Sequence, residues 1–454
     1  MNVTKRTLND LLISFSSVKG FHETSSLLEW INQENAGNKA VLSLCEISSD
    51  SFWFFDEDNS IIRNRNNSFF SISGIKREDS EQPIILQNEI GYLGIIGKRI
   101  DGVLHFLMQA KIEPGNINNI QISPTIQATE SNFTQKHGGR VPHYLEYFQN
   151  VNNYEVVYDG EEPEQCSRFF KKFNRNVIII LPDDETIQIL PHFRWMTINQ
   201  IKYLANHYDN LVNMDTRTVL SCIPYDLSDN IDSLSSLLFN GEDKSNIFLE
   251  KIHKSKHYGN SAKLVKLSDL NMWMVNSKGI FCSHSYPFHF EFFDIKIDGR
   301  EVTHWTQPLA VANGKALFAL LSFKRKEEIL FLIKEKPEIG CAKGVCFGPT
   351  LQLESPYDDY CPQNRFEIFL FESLLCKNSE IDTILSEEGG RFYHEENRNI
   401  VAMYDKDISD DEVADLGYYA ANYKTIRRMI EKEHIVNIQL RNLISLLEAN
   451  YGKN

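Results

Sequence analysis

LHFLMQAKIEPGNINNIQISPTIQATESNFTQKHGGRVPHYLEY, residues 104–147, decides how the rest of the chain is read. From 104 to 113 the residues alternate: Leu104, Phe106, Met108, Ala110 and Ile112 share one side, and Gln109, Lys111 and Glu113 the other. A period of two is the pattern of a half-buried strand. Pro114-Gly115-Asn116 ends it with turn residues. A second alternation puts Ile120, Ile122, Pro124 and Ile126 on one face and Gln121, Ser123, Thr125, Gln127 and Thr129 on the other. Two strands with apolar backs thus offer a carboxylate, an ammonium, amides and hydroxyls on their other faces. That set suits a pocket for a polyhydroxylated ligand and proton chemistry on it. The same pattern also fits an ordinary amphipathic hairpin with a wet outer face.

The stretch recurs. Adding 225 turns Lys111, Glu113 and Gly115 into Lys336, Glu338 and Gly340, and Pro124-Thr125 and Gln127 into Pro349-Thr350 and Gln352. Gln82-Pro83 becomes Gln307-Pro308 at the same offset, and Asn213 and Arg217 become Asn437 and Arg441 at an offset of 224. Gly138-Gly139-Arg140 has a looser echo in Gly389-Gly390-Arg391, with Glu388 where His137 would fall. The repeated unit is the size of a domain, far longer than a solenoid repeat. The expected organisation is a first repeat at 1–223, a connection at 224–260 and a second repeat at 261–454. Each repeat reads as an α+β unit, a curved mixed sheet with helices packed on it.

Composition narrows the function. A net charge of −15 with no basic stripe excludes a nucleic-acid groove and leaves room for a small phosphorylated ligand. Eight scattered cysteines without a C-x-x-C read as reduced thiols of a cytoplasmic protein. No apolar run approaches the roughly 20 residues of a membrane span, and the N-terminal run is too short for a signal peptide. Dinucleotide, Walker, zinc-peptidase and α/β-hydrolase motifs are absent. His284 and His289 are five apart, a spacing unsuited to one strand face, so no metal is assigned. Helices are expected in residues 1–35 and over 197–207, the latter capped by Thr197 and Gln200, with another over 213–222 and an exposed turn at 161–165.

Lys111 and Glu113 are the first candidates for chemistry. A glutamate in a partly dry pocket serves as a general base, and a neighbouring lysine stabilises an oxyanion. His137 titrates near neutrality, Gly138 and Gly139 permit close backbone approach, and Arg140 suits phosphate. Arg217 and Arg441 fit either a diphosphate or a structural salt bridge. The polar face of the first repeat is the richer one, so the chemistry is expected there. Lys336, Glu338, Thr350, Gln352, Arg391 and Arg441 are expected to keep a related second pocket, for nucleotide or for fixing a dimer.

QAKIEPGNINNIQISPTIQATESNFTQKHGG, NMDTRTVLSC at 213–222 and the paired Gln-Pro motifs resemble the NDP-hexose 2,3-dehydratases, over almost the whole chain. The resemblance implies a homodimer whose subunits each carry two Nudix-like domains from a duplication. It implies dTDP-4-keto-6-deoxyglucose as substrate and a 3,4-diketo-2,6-dideoxy sugar as product, passed to a 3-ketoreductase. The glutamate-rich Nudix box is missing, which agrees with metal-free chemistry, and the reaction needs no redox cofactor. Within it, Glu113 is expected as base and His137 as acid or alternative base, with Lys111 and Gln127 or Thr125 at the enolate. Gln109, Asn116, Gln121, Ser123, Thr129, Ser131, Asn132, Gly138, Gly139 and Arg217 complete the expected substrate contacts, and Arg140 and Tyr144 serve the diphosphate and base. Two alternatives stand beside this reading: a metal-dependent Nudix-type nucleotide-sugar hydrolase and a non-catalytic nucleotide-sugar binder.

Overall fold

A computed structural model describes residues 3–129, 141–224, 238, 240–259, 262–298 and 302–451. Each half contains two sheets where one was expected. The larger sheet of the first half runs in the order Glu155–Pro163, Phe173–Ile180, Gly91–Ile100, Val103–Ile112, Phe193–Met196. The second half repeats this order strand for strand with Ile381–Ser386, Glu396–Tyr404, Ala316–Arg325, Glu328–Lys336 and Tyr419–Asn422. In both, one parallel pair sits among antiparallel ones: Phe173–Ile180 on Gly91–Ile100, and Glu396–Tyr404 on Ala316–Arg325. The architecture is therefore α+β with mixed sheets.

The quoted stretch folds differently from a plain hairpin. Val103–Ile112 is a strand, but both its faces are apolar over much of its length. Leu104, Phe106 and Met108 enter the main core, while Leu107 enters a second core with Ile96 and Ile126. Residues 120–128 are not one strand. Ile120–Ser123 pairs with Val103–Ile112, the chain bends at Pro124-Thr125, and Ile126–Ala128 crosses to Gly91–Ile100. The Thr125 hydroxyl bridges the split, accepting from Ile96 N and donating to Leu107 O. Thr350 does the same between Leu321 and Leu332.

The smaller sheets are stitched across the halves. Ala40–Leu44, from the first half, pairs with Phe288–Ile297 of the second. Lys263–Val265, from the start of the second, pairs with Ser71–Arg77 of the first. Two reciprocal backbone contacts complete the joint. Gly115 N donates to Gly389 O (2.7 Å) and its carbonyl accepts from His394 N (2.9 Å). Gly340 N donates to Cys166 O (2.8 Å) and its carbonyl accepts from Lys171 N (2.8 Å). These contacts correct the sequence alignment of the halves: Gly389-Gly390-Arg391 corresponds to Cys166-Ser167-Arg168, not to Gly138-Gly139-Arg140. The side chains agree, since Arg391 lies over Phe69 and Phe70 as Arg168 lies over Phe288.

Helices follow their local signals. Ile198–His207 starts with the expected reciprocal cap between Thr197 and Gln200. Met214–Ser221 is capped by Asn213, all eight of its residues are buried, and it packs on its counterpart Ile438–Tyr451. The exposed turn expected at 161–165 is overturned. Glu155–Pro163 is a strand, Glu162 and Gln165 are sealed, and Glu164 faces a cavity. A charged sequence is buried there because Arg441 lies 3.4 Å from Glu162, and Tyr158 and His434 also meet this carboxylate.

A Cβ on Gly115 would lie 1.6 Å from Phe392 O, a backbone atom that cannot rotate away. Gly115→Ala should therefore destabilise by about 1–3 kcal/mol or block folding, as overpacking does. Gly37→Ala, where a Cβ meets nothing within 4 Å, should leave the melting midpoint unchanged or slightly raised. Thermal unfolding of the two variants checks the contrast.

Candidate functional site

Glu113 stands where Val103–Ile112 ends and the Pro114-Gly115 turn begins. Its Oε1 accepts from Gln127 Nε2 at 3.1 Å and lies 3.4 Å from Lys111 Nζ. Gln127 is itself held at two points. Asn213 Nδ2 donates to Gln127 Oε1 at 3.1 Å, and Lys111 Nζ donates to the Gln127 carbonyl at 3.2 Å. Asn213 is fixed in turn by Ser123 Oγ (2.9 Å) and by capping Thr216 N (2.9 Å). A helix cap, an amide and an ammonium thus aim one carboxylate. Glu113 Oε2 is buried without a hydrogen-bond partner among the described residues. Such an oxygen is costly unless a ligand group meets it.

That carboxylate lines a cavity of about 610 Å³. Asp215 and Glu164 from the first repeat and Glu388 and Arg391 from the second share the wall. Carboxylates that share a wall disfavour one another's charge. Burial, reinforced by Glu388, Glu164 and Glu113, pushes the Asp215 carboxyl well above the usual range. Burial and the Glu113 charge push Glu388 up to about 7. Burial lowers Lys172, also at the wall, to about 8 against the opposing pull of Glu164. Aromatic side chains (Phe69, Phe193 and Trp305 among them) complete the wall. Among the described residues no group of three or more His, Cys, Asp or Glu is arranged to hold a metal ion.

The structure sorts the residues singled out by sequence. Gln109, Lys111, Glu113, Thr125, Gln127 and Thr129 reach the cavity, although the Thr125 hydroxyl is committed to backbone. Asn116, Gln121, Ser123, Tyr144 and Arg217 are not among the lining residues and have protein partners. Asn116 donates to Asn119 O, Gln121 to Ser386 Oγ and Tyr144 to Gln188 O. Arg217 donates to Val212 O and Ser386 O, tying the repeats together. Arg391, expected in a second pocket, lines this one. Ser131, Asn132, His137, Gly138, Gly139 and Arg140 lie outside the described residues. Sequence reasoning missed Glu164, Asp215 and Glu388 as site residues. Asp215 had a signal, standing between the repeated Asn213 and Arg217; Glu164 and Glu388 are placed by the joint between repeats.

A family model described as NDP-hexose 2,3-dehydratase matches residues 24–223 and again 248–447. The chain belongs to the NDP-hexose 2,3-dehydratase family. It is a hydro-lyase of deoxysugar biosynthesis. Similar proteins agree. A dTDP-4-dehydro-6-deoxy-alpha-D-glucopyranose 2,3-dehydratase of Saccharopolyspora spinosa is 33% identical, over 99% of this chain and 95% of its own. Enzymes of the same name from Amycolatopsis orientalis and Streptomyces violaceoruber are each 31% identical over 94% of this chain, covering 90% and 97% of their own. Among solved structures, an ADP compounds hydrolase is matched over 36% of this chain and 86% of that one, at 13% identity and a TM-score of 0.23.

The dehydratase keeps a second copy of the relay. Asn437 Nδ2 donates to Gln352 Oε1 (2.8 Å), Gln352 Nε2 to Glu338 Oε1 (2.9 Å), and Lys336 Nζ to the Gln352 carbonyl (3.2 Å). Burial pushes Glu338 up to about 7. Thr350 is spent on backbone, and Arg441 donates to Pro163 O. Cys166, Cys341 and Cys346 cluster beside Glu338, where the first site has no thiol.

Arg217→Met removes two buried hydrogen bonds to carbonyls and no cavity-lining group. It should destabilise by about 1–3 kcal/mol and leave the affinity of the folded variant for a nucleotide sugar nearly unchanged. Calorimetry of unfolding and of nucleotide-sugar binding checks both; a tenfold loss of affinity, about 1.4 kcal/mol, would return Arg217 to the ligand site.

Proposed function

We propose that this dehydratase removes water across C2–C3 of dTDP-4-keto-6-deoxyglucose, with Glu113 as base. Glu113 carries the reading: it lines the cavity, the Asn213–Gln127–Lys111 relay holds its Oε1, and its Oε2 has no hydrogen-bond partner among the described residues. The named substrate of the three relatives supports the choice of sugar nucleotide.

The C4 ketone acidifies the C3 proton, which passes to Glu113. Lys111, 3.4 Å from Glu113, holds its charge near the enolate that forms. The C2 hydroxyl is β to the carbonyl and leaves as water once protonated. The resulting enol at C3 tautomerises to the 3,4-diketo-2,6-dideoxy product, which a 3-ketoreductase would consume. The same reading takes the halves 1–223 and 261–454 as two Nudix-like units and the enzyme as a homodimer, both resting on the resemblance, and takes it as cytoplasmic, which rests on its scattered cysteines and the composition of its N-terminus.

Turnover of dTDP-4-keto-6-deoxyglucose with a 3-ketoreductase as trap should show loss of one water with the diphosphate intact by mass spectrometry. Glu113→Gln should lower it by about 10²–10⁴-fold, the usual worth of a general base, with dTDP still bound. Undiminished turnover in that variant would remove Glu113 from the chemistry; cleavage of the diphosphate would contradict the reaction itself.

A further inference from the structure

The two relays form an internal control. Lys111, Glu113, Gln127 and Asn213 recur as Lys336, Glu338, Gln352 and Asn437 with the same hydrogen bonds. What does not recur is a pair of carboxyls. The joint between repeats places Gln165 opposite Glu388, because Gly389 and Cys166, the next residues, hold equivalent glycines. Gln439 stands opposite Asp215 at the helix start, two residues after the capping Asn437. Both positions are carboxylic acids in the first site and amides in the second. An amide donates hydrogen bonds but gives up no proton.

We propose that Glu388, supplied by the second repeat, is the acid that protonates the departing C2 hydroxyl in the first. The proposal rests on the reading of Glu113 as base. Glu388 Oε1 is anchored by Gly390 N at 3.0 Å, and the side chain is only partly covered where it lines the cavity. Asp215 is the poorer candidate, since it is 4% exposed where Glu388 is only partly covered. The groups acting on Glu388 are Glu113 and Lys111 from the end of the central strand, Glu164 after Glu155–Pro163, Asp215 from the helix and Arg391 beside it. Burial and the carboxylates among them keep part of the Glu388 population protonated near neutrality.

The proton count closes. Glu113 takes the C3 proton, the C2–O bond breaks, and Glu388 gives its proton to the leaving oxygen to make water. Ketonisation of the C3 enol then needs one proton on C2 and releases one from the C3 hydroxyl. Glu113 supplies the first and Glu388 accepts the second, so both return to their starting states.

The test is Glu388→Gln in the full-length protein, with dTDP-4-keto-6-deoxyglucose in D2O. Turnover should fall by about 10²–10⁴-fold, while dTDP still binds and deuterium still enters the substrate at C3. Glu113→Gln should lose turnover and C3 exchange together; exchange that persists there would sink the base and leave the Glu388 result to stand by itself. The decline of kcat/KM above about pH 7, where the acid is lost, should disappear from the residual activity of Glu388→Gln. Near-parental turnover in Glu388→Gln overturns the proposal. So does loss of C3 exchange with dTDP binding intact. If Glu388→Gln does not fold, Glu388→Asp should retain the basic decline of activity, and its absence there would equally contradict the assignment.

Discussion

Two glycines and the backbone they touch hold this molecule in register. Gly115 and Gly340 each insert between the peptide groups of the opposite repeat, donating one hydrogen bond and accepting one. No side chain takes part, and a Cβ at either position would meet a carbonyl oxygen within 2.0 Å. The contact is therefore short, directional and intolerant of substitution. It sits two residues after Glu113 in one repeat and two after Glu338 in the other. The proposed base and the residue that locks the halves together are therefore near neighbours in the chain.

The composition of the site follows from that joint. With Gly115 seated on residues 389–394, Glu388 and Arg391 come to the cavity wall of the first repeat. The exchanged edge strands Ala40–Leu44 and Lys263–Val265 add a second restraint on the same geometry. Buried arginines add a third: Arg217 reaches Ser386 O and Arg441 reaches Pro163 O, one in each direction. Neither half could present the full set of carboxyls alone. The repeats have then diverged chemically on a common frame: Glu388 and Asp215 at one relay stand where the other has Gln165 and Gln439, and thiols cluster beside Glu338.

Much of this was readable from residues. The period-two pattern of 104–113 marked the strand, the Thr197 and Gln200 cap marked a helix start, and the recurrence of Lys-x-Glu-x-Gly exposed the duplication. Glu113, Lys111 and Gln127 were found because polar residues on a strand with an apolar back need a reason. The misses have physical causes. Alternation failed at Pro124-Thr125, where a threonine hydroxyl replaces a ladder hydrogen bond and lets one segment change partners. Residues 161–165 looked exposed because charge usually means solvent, whereas here Arg441 and the cavity satisfy it. Gly389-Gly390-Arg391 was aligned by letter to the wrong glycines, since the true counterpart, Cys166-Ser167-Arg168, shares only the arginine. Local pattern carries no information about which residues a distant joint brings together, and Glu388 is visible only through that joint.

The central claim is that one active site is built by both repeats, with Glu113 from the first and Glu388 from the second. A crystal structure of the enzyme with a dTDP-hexose that cannot lose its C2 oxygen tests it most directly. The account predicts C3 of the hexose about 3–3.5 Å from the Glu113 carboxylate, the spacing of a group poised to react, with Glu388 on the C2 side. A hexose ordered beyond reach of either carboxyl, or touching residues of one repeat alone, would contradict it.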